Sequence, residues 1–158
     1  MARLEAARRG PDYRVDFVAW ADCQGRLLRE GRFADLDLDN VIEEIEGLSG
    51  SVRSALSSQV QRVAEHLLKL LHSPAGDPQR GWRETIRNAR SELERVLDEN
   101  PSLGREMENI VAKAMPRAAR LVIGNLEDYG ELTPAAAQAL GDTRFTVDEI
   151  VSDWFPKG

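Results

Sequence analysis

The sequence predicts an all-α protein, a single-domain helical bundle built around one long amphipathic helix, with short helices at its C-terminal end. Two observations lead to this fold class. Glu, Leu, Arg and Ala are abundant and β-branched runs are few, a composition that favours helices over strands. Between Leu36 and His72, apolar residues also recur at helical spacing, at Val41, Ile45, Leu48, Val52, Leu56, Val60, Val63, Leu67 and Leu71.

The chain length sets the expected domain organisation. A chain of 158 residues is long enough for one ordinary domain with a real core. We expect that domain to span residues 12–158. Residues 1–11 include three arginines and show no apolar periodicity, so they are expected to form a flexible N-terminal arm.

Charge and composition narrow the class of partner. The formal net charge is -6 and the pI is near 5.0, which argues against general nucleic-acid binding and against binding to anionic membranes. No signal-peptide core and no membrane-spanning run is evident, and Cys23 is the single cysteine, so no intrachain disulfide can form. The sequence therefore predicts a cytoplasmic protein without membrane association.

The first two helices have recognisable ends. Carboxylates between Asp12 and Asp16 precede an apolar stripe that includes Trp20, and Gly31 follows as a C-cap residue. Asn40 and Glu43 fit a capping box, which predicts the start of the long helix there. Gly47 and Gly50 weaken that helix, but the unbroken apolar register predicts that it continues through them.

Proline and glycine divide the rest of the chain. The long helix should end at Ser73-Pro74, and a third helix should run from Trp82 to Glu99. A fourth helix should open at Pro101, with either a kink or a division into two abutting helices at Pro116, and later breaks at Gly124 and Gly130. Two short helices are predicted after Thr133 and Thr146, and the final aromatic residues are expected to dock on the bundle. Trp20 and Trp82 are predicted core residues because each belongs to an apolar stripe.

Five stretches occur in an order that resembles a known family. They are Asp16-Phe17-Ala19-Trp20, Leu36-Asp37-Asn40-Val41-Glu43-Glu44-Ile45-Glu46, His66-Leu67-Leu68-Lys69, Trp82-Arg83-Thr85-Ile86 and Pro101-Ser102-Leu103. With these stretches, the chain resembles the bacterial domain-of-unknown-function family twenty-nine from about Tyr13 to Pro156. The resemblance implies an all-α fold and an intracellular bacterial setting, and it brings no established activity or assigned catalytic residue.

A group of carboxylates near the start of the long helix is one candidate site. Glu43, Glu44 and Glu46 could supply oxygen ligands to a divalent cation. At about 100° per residue, however, they point in different directions, so a metal site would need carboxylates from another segment. The structural alternative is that they compensate the helix dipole and pair with Arg29 and Arg32.

The other candidate site lies at the far end of the long helix. The turn after this helix should fold the third helix back, which would bring Trp82, Arg83 and Arg87 near His66 and Lys69. Such a group could bind a small anion, because Lys and Arg hold phosphate or carboxylate groups and His titrates near neutral pH. The structural alternative is a hydrogen-bonded, partly buried His66 and a Trp82 used in packing.

Common catalytic signatures are absent from the sequence. It contains no Glu-x-x-His pair, no His-Glu-x-x-His motif, no Walker A loop and no Gly-rich dinucleotide loop, and nothing in it names a cofactor. The leading hypothesis is therefore a helical interaction module that binds a protein partner or a second copy of itself. The alternative is a small anionic-ligand-binding or phosphoester-processing enzyme that uses His66, Lys69, Trp82 and Arg83.

Overall fold

The computed structural model describes residues 10–74, 76 and 78–156, which form α-helices and short 3-10 helices without any β-strand. The α-helices are α1 (Phe17–Arg29), α2 (Leu38–His72), α3 (Gln79–Glu99), α4 (Met107–Asp128), α5 (Pro134–Asp142) and α6 (Val147–Val151). The 3-10 helices are Phe33–Asp35 and Pro101–Glu106. The predicted all-α class is confirmed. In the described part of the chain, no helix combines the length and apolar character needed to cross a membrane.

The chain divides into two compact units, Met1–Ser51 and Val52–Gly158, and the boundary between them falls inside α2. We call them the N-terminal unit and the C-terminal unit. The single domain expected over residues 12–158 stays a prediction. The flexible arm expected over residues 1–11 lies outside the described residues, apart from Gly10 and Pro11.

The long central helix is present as predicted. α2 spans 35 residues and passes through Gly47 and Gly50, as predicted from the apolar register on both sides of them. It ends at His72, before the predicted stop at Ser73-Pro74. Its start was predicted too late, since Asn40 lies inside the first turn. There the Asn40 amide donates a hydrogen bond of 2.7 Å to the Asp37 carboxylate.

The ends of α1 also follow the prediction. The Asp16 carboxylate accepts a hydrogen bond from the backbone N–H of Ala19 at 3.0 Å, which satisfies a free donor of the first turn. Gly31 has a φ of +68°, and the N–H of Arg32 bonds the carbonyl of Leu27 in a Schellman-type end. A residue without a side chain is favoured there because the left-handed conformation crowds a Cβ.

The breaks predicted in the fourth helix are mostly wrong. α4 is continuous through both Pro116 and Gly124, and the segment Pro101–Glu106 forms a 3-10 helix instead of its first turns. A proline removes one intrahelical hydrogen bond, but side chains on either side of Pro116 are buried, so packing outweighs the local cost. Gly130, at a φ of +68°, follows the helix end as predicted.

The C-terminal unit contains the hydrophobic core. Its buried members come from α2, α3, α4, α5, α6 and the connections between them: Leu56, Val60, Val63, Ala64, Leu67, Leu68, Ile86, Ala89, Leu93, Val96, Leu103, Met107, Ile110, Val111, Ala114, Met115, Ala118, Ala119, Val122, Leu126, Leu140, Phe145 and Ile150. Trp154 and Phe155 pack against this core, as expected of the final aromatic residues. Trp82 does not belong to it. That side chain is only half-buried, because it lies in the first turn of α3, one turn before Ile86, the first buried residue of this helix. The prediction that Trp82 is a core residue is wrong.

The described part of the N-terminal unit buries few side chains. They are Trp20, Gln24 and Leu27, so the prediction that Trp20 is a core residue is confirmed. Large apolar side chains that remain exposed in this unit are Val15, Phe17, Val18, Leu28, Phe33, Leu38, Ile42, Ile45 and Leu48. This unit therefore presents apolar surface that its own helices do not cover.

Candidate functional site

The acidic group at the start of α2 is partly engaged by a neighbouring tyrosine. The hydroxyl of Tyr13 donates a hydrogen bond of 2.5 Å to the Glu44 carboxylate. This bond raises the pKa of Tyr13 to about 12, because a phenolate beside a carboxylate is disfavoured. Glu43 and Glu46 are exposed on other sides of the helix.

The carboxylates do not form a ready-made metal site. Among the residues that the structure describes, no group of three or more His, Cys, Asp or Glu side chains is close enough to hold a metal ion. The helical rotation of about 100° per residue explains why Glu43, Glu44 and Glu46 diverge. The metal hypothesis for them stays a prediction, without a ligand cluster to support it.

Polar side chains hold the start of α2 against α1. The indole N–H of Trp20 donates to the Asp37 carboxylate at 3.0 Å, and the backbone N–H of Asp37 donates to the amide oxygen of buried Gln24 at 2.9 Å. The rings of Tyr13 and Trp20 meet edge to face with centroids 4.8 Å apart. Sequence reasoning missed this cluster, because Asp37 looks like the neighbouring aspartates and only the fold selects it.

Four exposed apolar side chains follow one another along the first turns of α2. Leu38, Ile42, Ile45 and Leu48 are 57%, 45%, 61% and 69% exposed, and we call them the α2 apolar face. At about 100° per residue they fall within an arc of about 120°, so they share one side of the helix. An exposed row of this kind is typical of a surface that binds a partner.

Acidic residues surround the α2 apolar face. Residues 10–51 contain ten acidic and four basic side chains, a formal net charge of -6. On α2 itself, Asp39 and Glu46 lie at exposed positions on one side of the apolar row, and Glu44 lies on the other side. The surface is thus apolar at its centre and negative at its edge.

His66 and Lys69 bond to their own helix. The Nδ1–H of His66 donates to the carbonyl of Arg62 at 2.9 Å, since a carbonyl can only accept. Burial lowers the pKa of His66. The ammonium of half-buried Lys69 pairs with the Glu65 carboxylate at 2.6 Å. No hydrogen bond or ion pair joins either residue to Trp82 within the described ranges.

The second histidine links two helices, which sequence reasoning did not foresee. His72 at the end of α2 lies 3.0 Å from the hydroxyl of Thr143, at the end of α5. That hydroxyl donates its proton to the carbonyl of Ala139 at 2.7 Å, so it accepts from the Nε2–H of His72. Burial lowers the pKa of His72.

The structure does bring two of the predicted anion-binding residues together. The guanidinium carbons of Arg83 and Arg87 lie 4.8 Å and 5.6 Å from the centre of the Phe155 ring. Arg90, one further turn along α3, lies 5.0 Å from the same ring. Spacing of three and four residues on α3 could have indicated this row, but only tertiary structure adds Phe155.

Arg90 fixes the C-terminal segment to α3. Its guanidinium donates to the carbonyls of Ile150 at 2.9 Å, Glu149 at 2.7 Å and Trp154 at 2.8 Å, and the residue is only 6% exposed. Its remaining terminal nitrogen, Nη1, is buried without a hydrogen-bond partner among the described residues. Burial lowers the pKa of Arg90, and the charge of Asp153 opposes that effect.

A separate open groove of about 490 Å³ lies along α4. Its lining is Glu108, Val111, Ala112, Met115, Arg144, Phe145, Thr146, Val147 and Asp148. None of the site residues predicted from the sequence lines it. The Arg144 guanidinium already donates to the carbonyls of Gly141 and Thr143, at 2.6 Å and 2.7 Å.

Comparison with known proteins adds a family and no activity. The family model described as "Domain of unknown function DUF29" matches residues 13–155. No curated protein and no solved structure matches the chain. The functional interpretation therefore depends on the geometry of the surfaces described above.

Proposed function

The chain belongs to the family DUF29, a domain of unknown function, and we propose that it is a helical interaction module that binds a partner protein through the α2 apolar face. The observation that carries the proposal is the row of four large apolar side chains, each at least 45% exposed. Soluble proteins usually bury such rows inside their own fold, because exposed apolar surface costs free energy and promotes aggregation. A row that stays exposed is therefore typical of a surface that a partner covers.

The shape of the face favours a helix as its occupant. From Leu38 to Leu48 the row is about 15 Å long and about 120° wide. An amphipathic helix with apolar residues three and four positions apart presents a row of the same width and length. Two such helices can pack side by side with the side chains of each in the grooves of the other.

The charge around the face favours a basic partner. Residues 10–51 carry a formal net charge of -6, so lysines and arginines beside the apolar row of the partner would find complementary carboxylates. A second copy of this chain would instead bring two acidic surfaces together. Anionic lipids and nucleic acids would be repelled for the same reason.

A pair of synthetic helical peptides tests this proposal. Both carry the same apolar row, but one has lysines and the other glutamates beside it, and binding is measured by fluorescence anisotropy at low and high salt. We expect the lysine peptide to bind at least about tenfold more tightly, and to weaken as salt rises. Replacing Ile45→Gln and Leu48→Gln together should abolish binding.

The control is a second double variant, Leu121→Gln with Tyr129→Gln, at exposed apolar positions of the C-terminal unit. It should bind the lysine peptide as the parent does. Equal binding of both peptides, or no loss in the Ile45 and Leu48 variant, would contradict the proposal. Light scattering measures the oligomeric state of the parent and of the Ile45 and Leu48 variant. If the parent is a dimer and this variant is a monomer, a second copy of the chain is the occupant instead.

The same proposal places the module in the cytoplasm of a bacterial cell. Because the chain has a single cysteine, its fold contains no intrachain disulfide that a reducing compartment such as the cytoplasm would break. An acidic interaction module without catalysis also fits the missing catalytic signatures. Fractionation of cells that express a tagged chain is the direct measurement, and recovery in the membrane pellet would contradict the placement.

A further inference from the structure

The strongest unexplained feature of the C-terminal unit is a cluster of positive charge. Arg83, Arg87 and Arg90 occupy one side of α3, and their guanidinium carbons all lie between 4.8 Å and 5.6 Å from the centre of the Phe155 ring. Any two of these carbons are therefore no more than about 11 Å apart, whereas the Debye length at physiological salt is about 8 Å, so part of their repulsion stays unscreened. Three like charges so close repel one another.

The two outer arginines of the cluster have no ion-pair partner in the described part of the chain. The ion pairs found within the described ranges do not include Arg83 or Arg87. Asp153 is the carboxylate whose charge acts on Arg90. The aromatic face of Phe155 attracts cations, but such a contact contributes only about 0.5–2 kcal/mol and neutralises no charge.

The three arginines have different roles. Arg90 is buried and donates from Nε and Nη2 to the carbonyls of the C-terminal segment, which keeps Phe155 beside α3. Arg83 is half-buried and Arg87 is exposed, and no hydrogen bond from either guanidinium occurs within the described part of the chain. Each guanidinium offers five N–H donors in a fixed plane, so both can turn them toward a ligand.

We propose that Arg83 and Arg87, supported by the Phe155 ring and Arg90, bind a phosphate dianion, as inorganic phosphate or as the terminal group of a phosphate monoester. Phosphate oxygens accept pairs of hydrogen bonds from a guanidinium. A dianion offsets more of the local positive charge than a carboxylate does, and its oxygens can serve two arginines at once. This site goes beyond partner binding at the α2 apolar face, because it uses residues of the C-terminal unit alone.

The buried Nη1 of Arg90 adds to the uncompensated positive charge of this cluster, although it lies too deep for a ligand to reach it directly. Nη1 lacks a hydrogen-bond partner within the described residues, although the side chain is more than nine-tenths buried. An unpaired buried donor is costly, and more so when it belongs to a charged group. An anion beside Arg83 and Arg87 would place negative charge next to this cation.

The test compares two double variants with equal loss of charge. One is Arg83→Gln with Arg87→Gln, and the control is Arg117→Gln with Arg120→Gln, at exposed arginines of α4. Binding of inorganic phosphate and of methyl phosphate is measured by calorimetry and by melting temperature, with chloride used to keep the ionic strength constant. Circular dichroism verifies that each variant is folded.

We expect saturable phosphate binding that raises the melting temperature of the parent and the control. The dissociation constant should rise at least about tenfold in the Arg83 and Arg87 variant. Dimethyl phosphate, a monoanion, should bind more weakly than methyl phosphate. Phe155→Leu should weaken binding while leaving both arginines present. Equal phosphate affinity in the two double variants, or no saturable binding to the parent, would overturn the proposal.

Discussion

The two halves of α2 carry the same apolar periodicity but have opposite surroundings. In the N-terminal unit, Ile45 and Leu48 are 61% and 69% exposed, whereas Leu56 and Leu67 in the C-terminal unit are fully buried. Apolar residues three and four positions apart therefore define which side of a helix is apolar. Whether that side is covered depends on other elements of the chain, and only the C-terminal unit supplies enough of them.

The two units should therefore contribute unequally to stability. Burial of apolar surface is the main favourable contribution to folding, and the core cluster lies entirely in the C-terminal unit. The described part of the N-terminal unit buries only Trp20, Gln24 and Leu27, and it adds polar contacts such as that between Trp20 and Asp37. A partner that covered the α2 apolar face would bury additional apolar surface, and this burial would add to the stability of the N-terminal unit.

The largest expected effect comes from truncating the buried half of α2. Leu67→Ala removes a fully buried side chain, so the free energy of unfolding should fall by about 2–5 kcal/mol. Ile45→Ala, the matched change in the exposed half, should alter it by no more than about 0.5 kcal/mol. Urea unfolding monitored by circular dichroism measures both values.

Equal losses from the two variants would contradict the contrast between the halves of α2. The same unfolding curves also test the domain organisation, because we propose that residues 12–158 form a single domain. One transition, with the helical signal changing together with the fluorescence of a Trp82→Phe, Trp154→Phe variant that keeps Trp20, would confirm it. Two separated transitions would show that the units unfold independently.

A somewhat smaller effect is expected at the attachment of the C-terminal segment. Arg90→Met keeps a long side chain but leaves the carbonyls of Glu149, Ile150 and Trp154 without their donor, which should cost about 2–3 kcal/mol. Arg87→Met, on the exposed side of the same cluster, should change the melting temperature little. If the melting temperature of Arg90→Met equals that of the parent, the carbonyl contacts do not stabilise the C-terminal unit.

A change of about 1 kcal/mol is expected in the small core of the N-terminal unit. Trp20→Phe retains an aromatic ring but loses the indole hydrogen bond to Asp37. Trp82→Phe serves as the control, because Trp82 is half-buried outside the core. In thermal unfolding, the melting temperature of Trp82→Phe should be close to that of the parent, and the melting temperature of Trp20→Phe should be lower. The reverse order would show that Trp82, and not Trp20, is the core residue.

The smallest effect should appear as a dependence of stability on pH. Burial lowers the pKa of His72 below its ordinary value of 6.5. The folded state therefore favours the neutral ring, and the resulting stability is present above the ordinary pKa and lost as the pH falls through the folded-state pKa. The parent should lose more stability than His72→Gln between about pH 7 and about pH 5.

Glutamine at position 72 can still donate to Thr143 but does not titrate, so the difference between the two curves isolates the histidine. Identical melting curves across this pH range would show that protonation of His72 costs the fold nothing. A parent that becomes more stable in acid would reverse the sign of the predicted effect.

Much of the fold could be predicted from local features of the sequence, whereas the candidate sites could be predicted only in part. The continuity of α2 and its end before Ser73-Pro74, the ends at Gly31 and Gly130, and the docking of the final aromatic residues were predicted correctly. A division into two helices at Pro116 was wrong, because the local cost of the proline was not weighed against its buried neighbours, whereas a kink there stays a prediction. Arg83 and Arg87 were grouped correctly, but Phe155 is distant in sequence and no local rule places it beside them.

The sequence by itself determined the helical class, the register of α2 and the end of α2, because periodicity, caps and proline act within a few residues. Tertiary structure alone decided that Leu67 is covered while Ile45 is exposed, that Arg90 is buried on backbone carbonyls, and that Trp82 stays outside the core. The physical reason is that burial depends on segments far apart in the chain. A periodic row of side chains carries no information about which segment will cover it.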